Sequence, residues 1–393
     1  MPNVVTIVTG PKVGLQSTWF LEDTVAFAAQ LGKKIVVFDL FEEILKQSNI
    51  NPQNAYERAL YIGELLDGYQ YQFKLMREKA YLSIARQMDK LPKNTNVIIR
   101  TPASIEWRGF NLEFKDHLVI AKELNPDRII TLIDAEWKIM ERLKSEYGSH
   151  VLRVIAHQKE MTLEKILDWL ASEVSRSEDW AEWATYLTGK KVRHFVLGIG
   201  TPSREDRGKY VRDVDNMAKF ATEKELPTFY ASYSMTVATE EIRKEINELI
   251  WRLRDYGAVI DPASIEIGHN INQKDESVVF AYTVCRDLRW DVEKVDIVAA
   301  FHPYKEMPPL STGMLDELGH ARAFRKERYL VMPVGAGSPF TRDNYVPANH
   351  LFKDGESFFR FIEKRRRPIL KPRFIENTKM FDKWQKERLS KKP

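Results

Sequence analysis

Two stretches of this 393-residue chain carry residue types whose spacing could do chemistry. Leu310-Ser311-Thr312-Gly313-Met314-Leu315-Asp316-Glu317-Leu318-Gly319 reads as a loop running into a helix. The free N–H groups at a helix start, together with the Ser311 hydroxyl, suit an oxygen of a phosphate or sugar. Glu317 follows Ser311 by six residues and can face the same cleft. A carboxylate there could attack a sugar's anomeric carbon while a second carboxylate protonates the leaving group, which is the logic of retaining glycoside chemistry. Each residue also has a plainer reading. Glu317 could be a surface helix residue, Ser311 a helix cap, Asp287 a cap or the ion-pair partner of Arg286, and Tyr230 a core tyrosine inside a strand.

The second stretch, Thr9-Gly10-Pro11-Lys12-Val13-Gly14-Leu15-Gln16-Ser17-Thr18, leaves an apolar run and opens a helical one, as a phosphate loop does. Such a loop needs glycines so that N–H groups point inward, a lysine for the terminal phosphates, and a hydroxyl for magnesium. Gly10, Gly14 and the hydroxyls of Ser17 and Thr18 are present, but Gln16 stands where the lysine belongs and Leu15 where a glycine belongs. Lys12 is the one lysine within reach of the missing role. ATP with Mg²⁺ is the cofactor pair such a loop would take.

These residues must be held by elements, and the pattern supplies them. Val4–Val8, Lys34–Phe38, Asn96–Ile99, Arg128–Leu132 and Val192–Leu197 read as strands; Ser17–Leu31, Tyr71–Met88, Ala135–Tyr147 and Leu163–Ser175 read as helices. Strand and helix in alternation predict a parallel sheet covered on both faces. A second series follows: strands Thr228–Ser232, Ala258–Ile260, Asp296–Phe301 and Tyr329–Pro333, with helical patterns Glu240–Tyr256, Val279–Trp290 and Leu315–Phe324. The fold class expected is therefore α/β, with two three-layer domains. Residues 1–200 form the first and 227–363 the second, with a polar linker over 201–226 that closes on a charged helical stretch before Pro227, and a basic tail over 364–393. The tail reads as a solvated segment or as a helix packed by Phe381 and Trp384, with nucleic-acid contact the lesser alternative.

Composition narrows the class. Hydrophobic residues are 44% and charged residues 30%, with 18 Gly and 18 Pro, which excludes collagen-like and wholly disordered chains. No apolar run is long enough for a membrane span and no signal-peptide pattern opens the chain, so a cytoplasmic protein is expected. The single Cys285 makes no intrachain disulfide and no thiolate metal site. Sixty Lys and Arg against 56 Asp and Glu is the balanced, dense charge of heavily ion-paired proteins, thermophilic ones among them, and does not call for nucleic acid.

The first two hundred residues resemble an archaeal-type adenylate kinase. The resemblance is carried by the loop above, by Ile98-Ile99-Arg100-Thr101-Pro102-Ala103-Ser104-Ile105, by Glu123-Leu124-Asn125-Pro126-Asp127-Arg128-Ile129-Ile130, and by Glu141-Arg142-Leu143-Lys144. It implies a P-loop kinase fold. Two departures stand against kinase activity: the acidic residue that would help hold Mg²⁺ at the end of the third strand is Arg100, and the arginine-rich lid is poorly matched by Val151–Gln158. Phosphoryl transfer is mostly positioning and charge neutralisation, so a nucleotide-binding or structural module is expected in place of an active kinase.

The later half resembles the nucleoside 2-deoxyribosyltransferase superfamily, and within it the nucleoside 5′-monophosphate N-glycosidases of the Rcl type. Four separated pieces occur in the family's order. They are Tyr230 with Ser234 after it, the segment from Asp287 to Trp290, the strand opening Asp296-Ile297-Val298-Ala299, and the Ser311 to Ala321 stretch. The resemblance implies that Glu317 is the nucleophile of a glycosyl-enzyme intermediate, that Tyr230 orients it, and that Asp287 protonates or positions the departing base. Ser234, Ser311 and Gly313 would lie along the 5′-phosphate. Ser338 would be a phosphate contact supplied by a neighbouring protomer, which requires at least a homodimer. The family's arginine falls at Thr236, a role Arg342 could take, and His302-Pro303-Tyr304-Lys305-Glu306-Met307 is an insertion beside the cleft. No cofactor is required for such a reaction. Three functions follow as expectations: a nucleotide N-glycosidase or N-glycosyl transferase, a nucleoside monophosphate kinase with an accessory domain, and a non-catalytic nucleotide sensor or scaffold.

Overall fold

The computed structural model describes residues 2–11, 17–48, 52, 55–68, 70–107, 110–144, 161–199, 207–235, 238–265, 273–304, 310–333 and 345–366. The chain divides into two compact units. One takes Met1–Gly200, Phe220–Lys224 and Ile265–Thr283, and the other Thr201–Lys219, Glu225–Ser264 and Val284–Pro393. Each contains a parallel five-stranded sheet flanked by helices, a three-layer α/β arrangement.

In the first unit the β-branched runs become β1 (Val5–Thr9), β2 (Lys34–Asp39), β3 (Thr95–Arg100), β6 (Arg128–Ile133) and β7 (Arg193–Gly198), in the order β2-β3-β1-β6-β7. A short hairpin, β4 (Ser104–Trp107) and β5 (Phe110–Glu113), follows β3. Central strands of such sheets are covered on both sides, which is why Ile7, Ile99 and Ile129 are fully buried in one cluster with Trp180. Trp180 belongs to a helix, Leu163–Thr188, that runs thirteen residues past the Ser175 boundary expected from the sequence. The polar Arg176-Ser177-Glu178-Asp179 stretch hides the continuation. Trp180, Ala181 and Ala184 return to the buried face, and Gly189, at φ 67°, ends the helix in the left-handed conformation glycine adopts without strain. Helices Leu40–Gln47 and Ala55–Gly68 lie beyond the elements read from the sequence.

Arg77 is 1% exposed and its Nε donates to Asp116 Oδ2 at 2.9 Å, with Tyr81 also donating to that oxygen at 3.1 Å. The guanidinium lies over Phe114, 3.7 Å from the ring centre. Removing one partner of such a buried pair strands the other charge, which costs about 3–5 kcal/mol. Asp116→Ala is therefore expected to lower unfolding stability by that amount, read as an earlier midpoint in urea.

In the second unit the strands are β8 (Thr228–Tyr233), β9 (Ala258–Ile260), β10 (Ile297–Phe301), β11 (Glu327–Val331) and β12 (Leu351–Phe352), ordered β12-β11-β10-β8-β9 and all parallel. Alternate residues of β8 supply the two layers: Phe229 and Ala231 join one cluster with Ile250 and Phe358, while Tyr230 joins the other with Met314 and Leu318. The charged helical stretch expected within the linker is the helix Arg207–Thr222, whose charged residues Arg212, Asp213, Asp215 and Lys219 are buried and paired. Arg212 meets Asp261 at 2.8 Å, Lys219 meets Asp215 at 2.7 Å, and Ser264 donates to Asp213 at 2.8 Å. Asn216 receives Val259 N–H at 3.0 Å and donates to Val259 C=O at 2.7 Å. Its amide thus pairs the free edge of β9, the outermost strand. At the other end, Gly355–Arg365 is a helix opened by an Asp354–Ser357 capping box. The tail from 367 onward, with Phe381 and Trp384, lies outside the described residues. No described helix is long and apolar enough to cross a membrane.

Candidate active site

Ligands of open parallel sheets bind beyond the carboxyl ends of the strands, and Ser232, near the carboxyl end of β8, reaches Glu317. Tyr230 and Ser232, two apart on β8, project to the same face. Glu317 comes from the helix Thr312–Ala323, which packs on that face through Met314 and Leu318. Tyr230 Oη donates to Glu317 Oε1 at 2.8 Å, and Ser232 Oγ donates to Glu317 Oε2. Both carboxylate oxygens are thus held, which fixes the plane of the carboxyl group.

Glu317 stays partly open to solvent, while dense protein on its other sides pushes its carboxyl up to about 8. The hydrogen bonds from Ser232 and Tyr230 act against that rise, and the neighbouring Asp287 charge adds to it. Burial holds the Tyr230 hydroxyl well above its usual range, with the Glu317 charge adding to the shift, so Tyr230 remains a donor.

Asp287 lies in the seven-residue π-helical turn Arg286–Val292 that continues the helix Gln273–Cys285. π-turns inside α-helices are rare and recur at functional sites. Arg286, 2% exposed, donates to Asp287 Oδ1 from Nε at 2.9 Å and approaches it with Nη2 at 2.8 Å. Burial raises the Asp287 carboxyl and the Arg286 charge opposes the rise. Asp291, one turn further on, is also buried.

Ser311 caps its helix by accepting Met314 N–H at 3.3 Å, and Gly313 sits exposed in the first turn. Ser234 is buried just past β8, with its hydroxyl beside that of Tyr304. Of the insertion, His302, Pro303 and Tyr304 are described, with the rings of His302 and Tyr304 4.6 Å apart. Ser338, Arg342 and Thr236 lie outside the described residues.

In the first unit, Gly10, Ser17 and Thr18 are described, whereas Lys12, Gly14 and Gln16 are not. Arg100, at the end of β3, donates to Ser17 Oγ at 2.6 Å and to Thr18 Oγ1 at 2.5 Å, and lies 3.4 Å from Asp39. A guanidinium therefore holds both the Ser17 and the Thr18 hydroxyl, one of which a phosphate loop would offer to magnesium. Glu173 accepts Gly10 N–H at 2.7 Å, together with the N–H groups of Ala103 and Ser104 and the Ser104 hydroxyl. A carboxylate thus occupies N–H groups that would otherwise be free for an anion. These residues do not fit Mg²⁺: the cation would meet a fixed positive charge, and among the described residues no group of three His, Cys, Asp or Glu could hold a metal.

No protein-family model matches the chain, and no curated protein matches it. The functional reading rests on the site itself. Sequence reasoning passed over Ser232, although its place two residues after Tyr230 on one strand is the alternation that aims both at one face. It also passed over Glu173, for which no local signal exists, because the groups it binds are 69 to 163 residues away in the chain.

Proposed function

We propose that the second unit cleaves, or transfers, the N-glycosidic bond of a nucleoside 5′-monophosphate through a covalent intermediate on Glu317. The observation that carries this reading is the carboxyl group of Glu317, held on both oxygens by Tyr230 and Ser232 at the carboxyl edge of a parallel sheet. Fixing the plane of a nucleophile aims one lone pair and lowers the entropy cost of attack. Glu317 attacks the anomeric carbon, the bond to the base nitrogen breaks, and its electron pair leaves with the base. Asp287 protonates or positions that base. Water then attacks the anomeric carbon and frees Glu317; a second base in place of water gives transfer. Ser311, Gly313 and the Ser234 hydroxyl are the described groups suited to the 5′-phosphate, with Ser338 of a neighbouring protomer and Arg342 completing it in a homodimer. The reaction needs no cofactor.

Incubating the protein with ribo- and deoxyribonucleoside 5′-monophosphates, with NAD included, and separating the products by chromatography tests this. Free base and sugar 5-phosphate in equal amounts support it; intact nucleotides throughout reject it. For the first unit, a structural or nucleotide-binding role is favoured over adenylate kinase activity by the Arg100 guanidinium on Ser17 and Thr18. AMP with ATP and Mg²⁺ is accordingly expected to yield no ADP in a coupled assay.

A further inference from the structure

The reaction leaves one buried acid unused. Asp291 is 5% exposed and lies four residues after Asp287 in the same π-helical turn. A π-helix has about 4.4 residues per turn, so the two carboxyl groups share a side of it. The charged groups around Asp291 are Asp287 and Arg286 of its own segment and Glu317 of the facing helix, with the Tyr230 hydroxyl of β8 also in range. Three carboxyl groups thus share one guanidinium, and they share it unequally. Arg286 directs both Nε and Nη2 at Asp287 Oδ1. No described residue gives the Asp291 carboxyl a hydrogen bond or an ion pair.

Charges taken out of water are tolerated when paired, and an unpaired buried carboxyl keeps its proton instead. Among the described residues Asp287 is the paired one and Asp291 the unpaired one. Resting on the N-glycosidase reading, we infer that Asp291 is the acid that delivers the proton to the departing base, while Asp287, tied to Arg286, stays an anion and positions that base. Burial and the Asp287 charge both raise the Asp291 carboxyl, in the direction this division requires.

The step balances. The Glu317 carboxylate forms a bond to the anomeric carbon, and the bond from that carbon to the base nitrogen breaks with its electron pair going to the base. The Asp291 proton then bonds to a base nitrogen, leaving Asp291 as a carboxylate. In the second half, water attacks the anomeric carbon, its proton goes to Asp291, and Glu317 departs as a carboxylate.

The test compares two leaving groups. A purine nucleoside 5′-monophosphate needs a proton to leave, whereas the para-nitrophenyl glycoside of ribose 5-phosphate departs as a stable anion without one. Asp291→Asn is expected to cut kcat/KM for the nucleotide by about 10²–10³-fold, the range of a lost general acid, and to leave the nitrophenyl substrate within about threefold. Asp287→Asn is expected to raise KM for the nucleotide more than it lowers kcat. Asp291→Glu, which keeps the acid, is expected to recover part of the nucleotide rate. An Asp291→Asn enzyme that cleaves the nucleotide at the wild-type rate, or loses both substrates equally, overturns the assignment. Infrared spectroscopy at pH 7 needs no substrate: the carbonyl band of a neutral carboxylic acid is expected to be weaker in Asp291→Asn than in wild type, and equal bands overturn it. Should wild-type protein cleave neither substrate, the N-glycosidase reading falls, while the infrared comparison still decides where the proton resides.

Discussion

Glu317→Gln is expected to lower base release from a nucleoside 5′-monophosphate by about 10³-fold or more, the scale on which enzymes lose rate with their nucleophile. The substitution is close to isosteric. The amide oxygen can accept from Tyr230, and the Ser232 hydroxyl can rotate to accept from the amide NH₂, so the two contacts that locate the side chain persist in altered form. An unchanged thermal midpoint beside lost base release would therefore assign the loss to chemistry and not to folding. Base release at the wild-type rate would remove Glu317 from the reaction.

The pH dependence of kcat/KM follows from the same carboxyl group. The nucleophile acts as the carboxylate, and burial pushes Glu317 up to about 8 in the free protein. Below that value the active fraction falls about tenfold for each pH unit, so the rate should climb through neutrality and level off above pH 8. Tyr230→Phe removes a hydrogen bond to the ionised form. A hydrogen bond to a charged group contributes about 1.5–3 kcal/mol, and one pH unit corresponds to about 1.4 kcal/mol. The rise of the profile should accordingly move about one to two units toward alkali. At pH 7 the variant would be slower by about 10- to 100-fold, and much of that would return at high pH. A profile that keeps its midpoint and only drops in height would mean that Tyr230 does not tune Glu317.

The sheets were legible because central parallel strands must be buried on both faces, and runs such as Val5 to Thr9 and Ile297 to Phe301 have little other use. The length of the helix Leu163–Thr188 was hidden by its polar middle. Arg207–Thr222 is legible as a charged helix, but its charges look solvated in sequence, whereas Asp261, Ser264 and the edge of β9 meet them from far along the chain. In the site, the sequence points to the pairing of Tyr230 with Glu317 only through the resemblance, since the two residues are 87 apart in the chain. The ion pair of Arg286 with Asp287, the plainer reading of two adjacent opposite charges, is present. What the chain could not display locally is which acid lacks a partner, since that depends on where one guanidinium points.

The most direct test of the covalent step uses a nucleotide whose sugar carries fluorine at the 2′ position, which slows breakdown of a glycosyl intermediate. Intact-protein mass spectrometry after incubation should show one added pentose phosphate per chain, mapped by proteolysis to the peptide containing Glu317 and absent from Glu317→Gln. Release of base from this nucleotide with no adduct, or an adduct on any other peptide, would contradict a Glu317-bound intermediate.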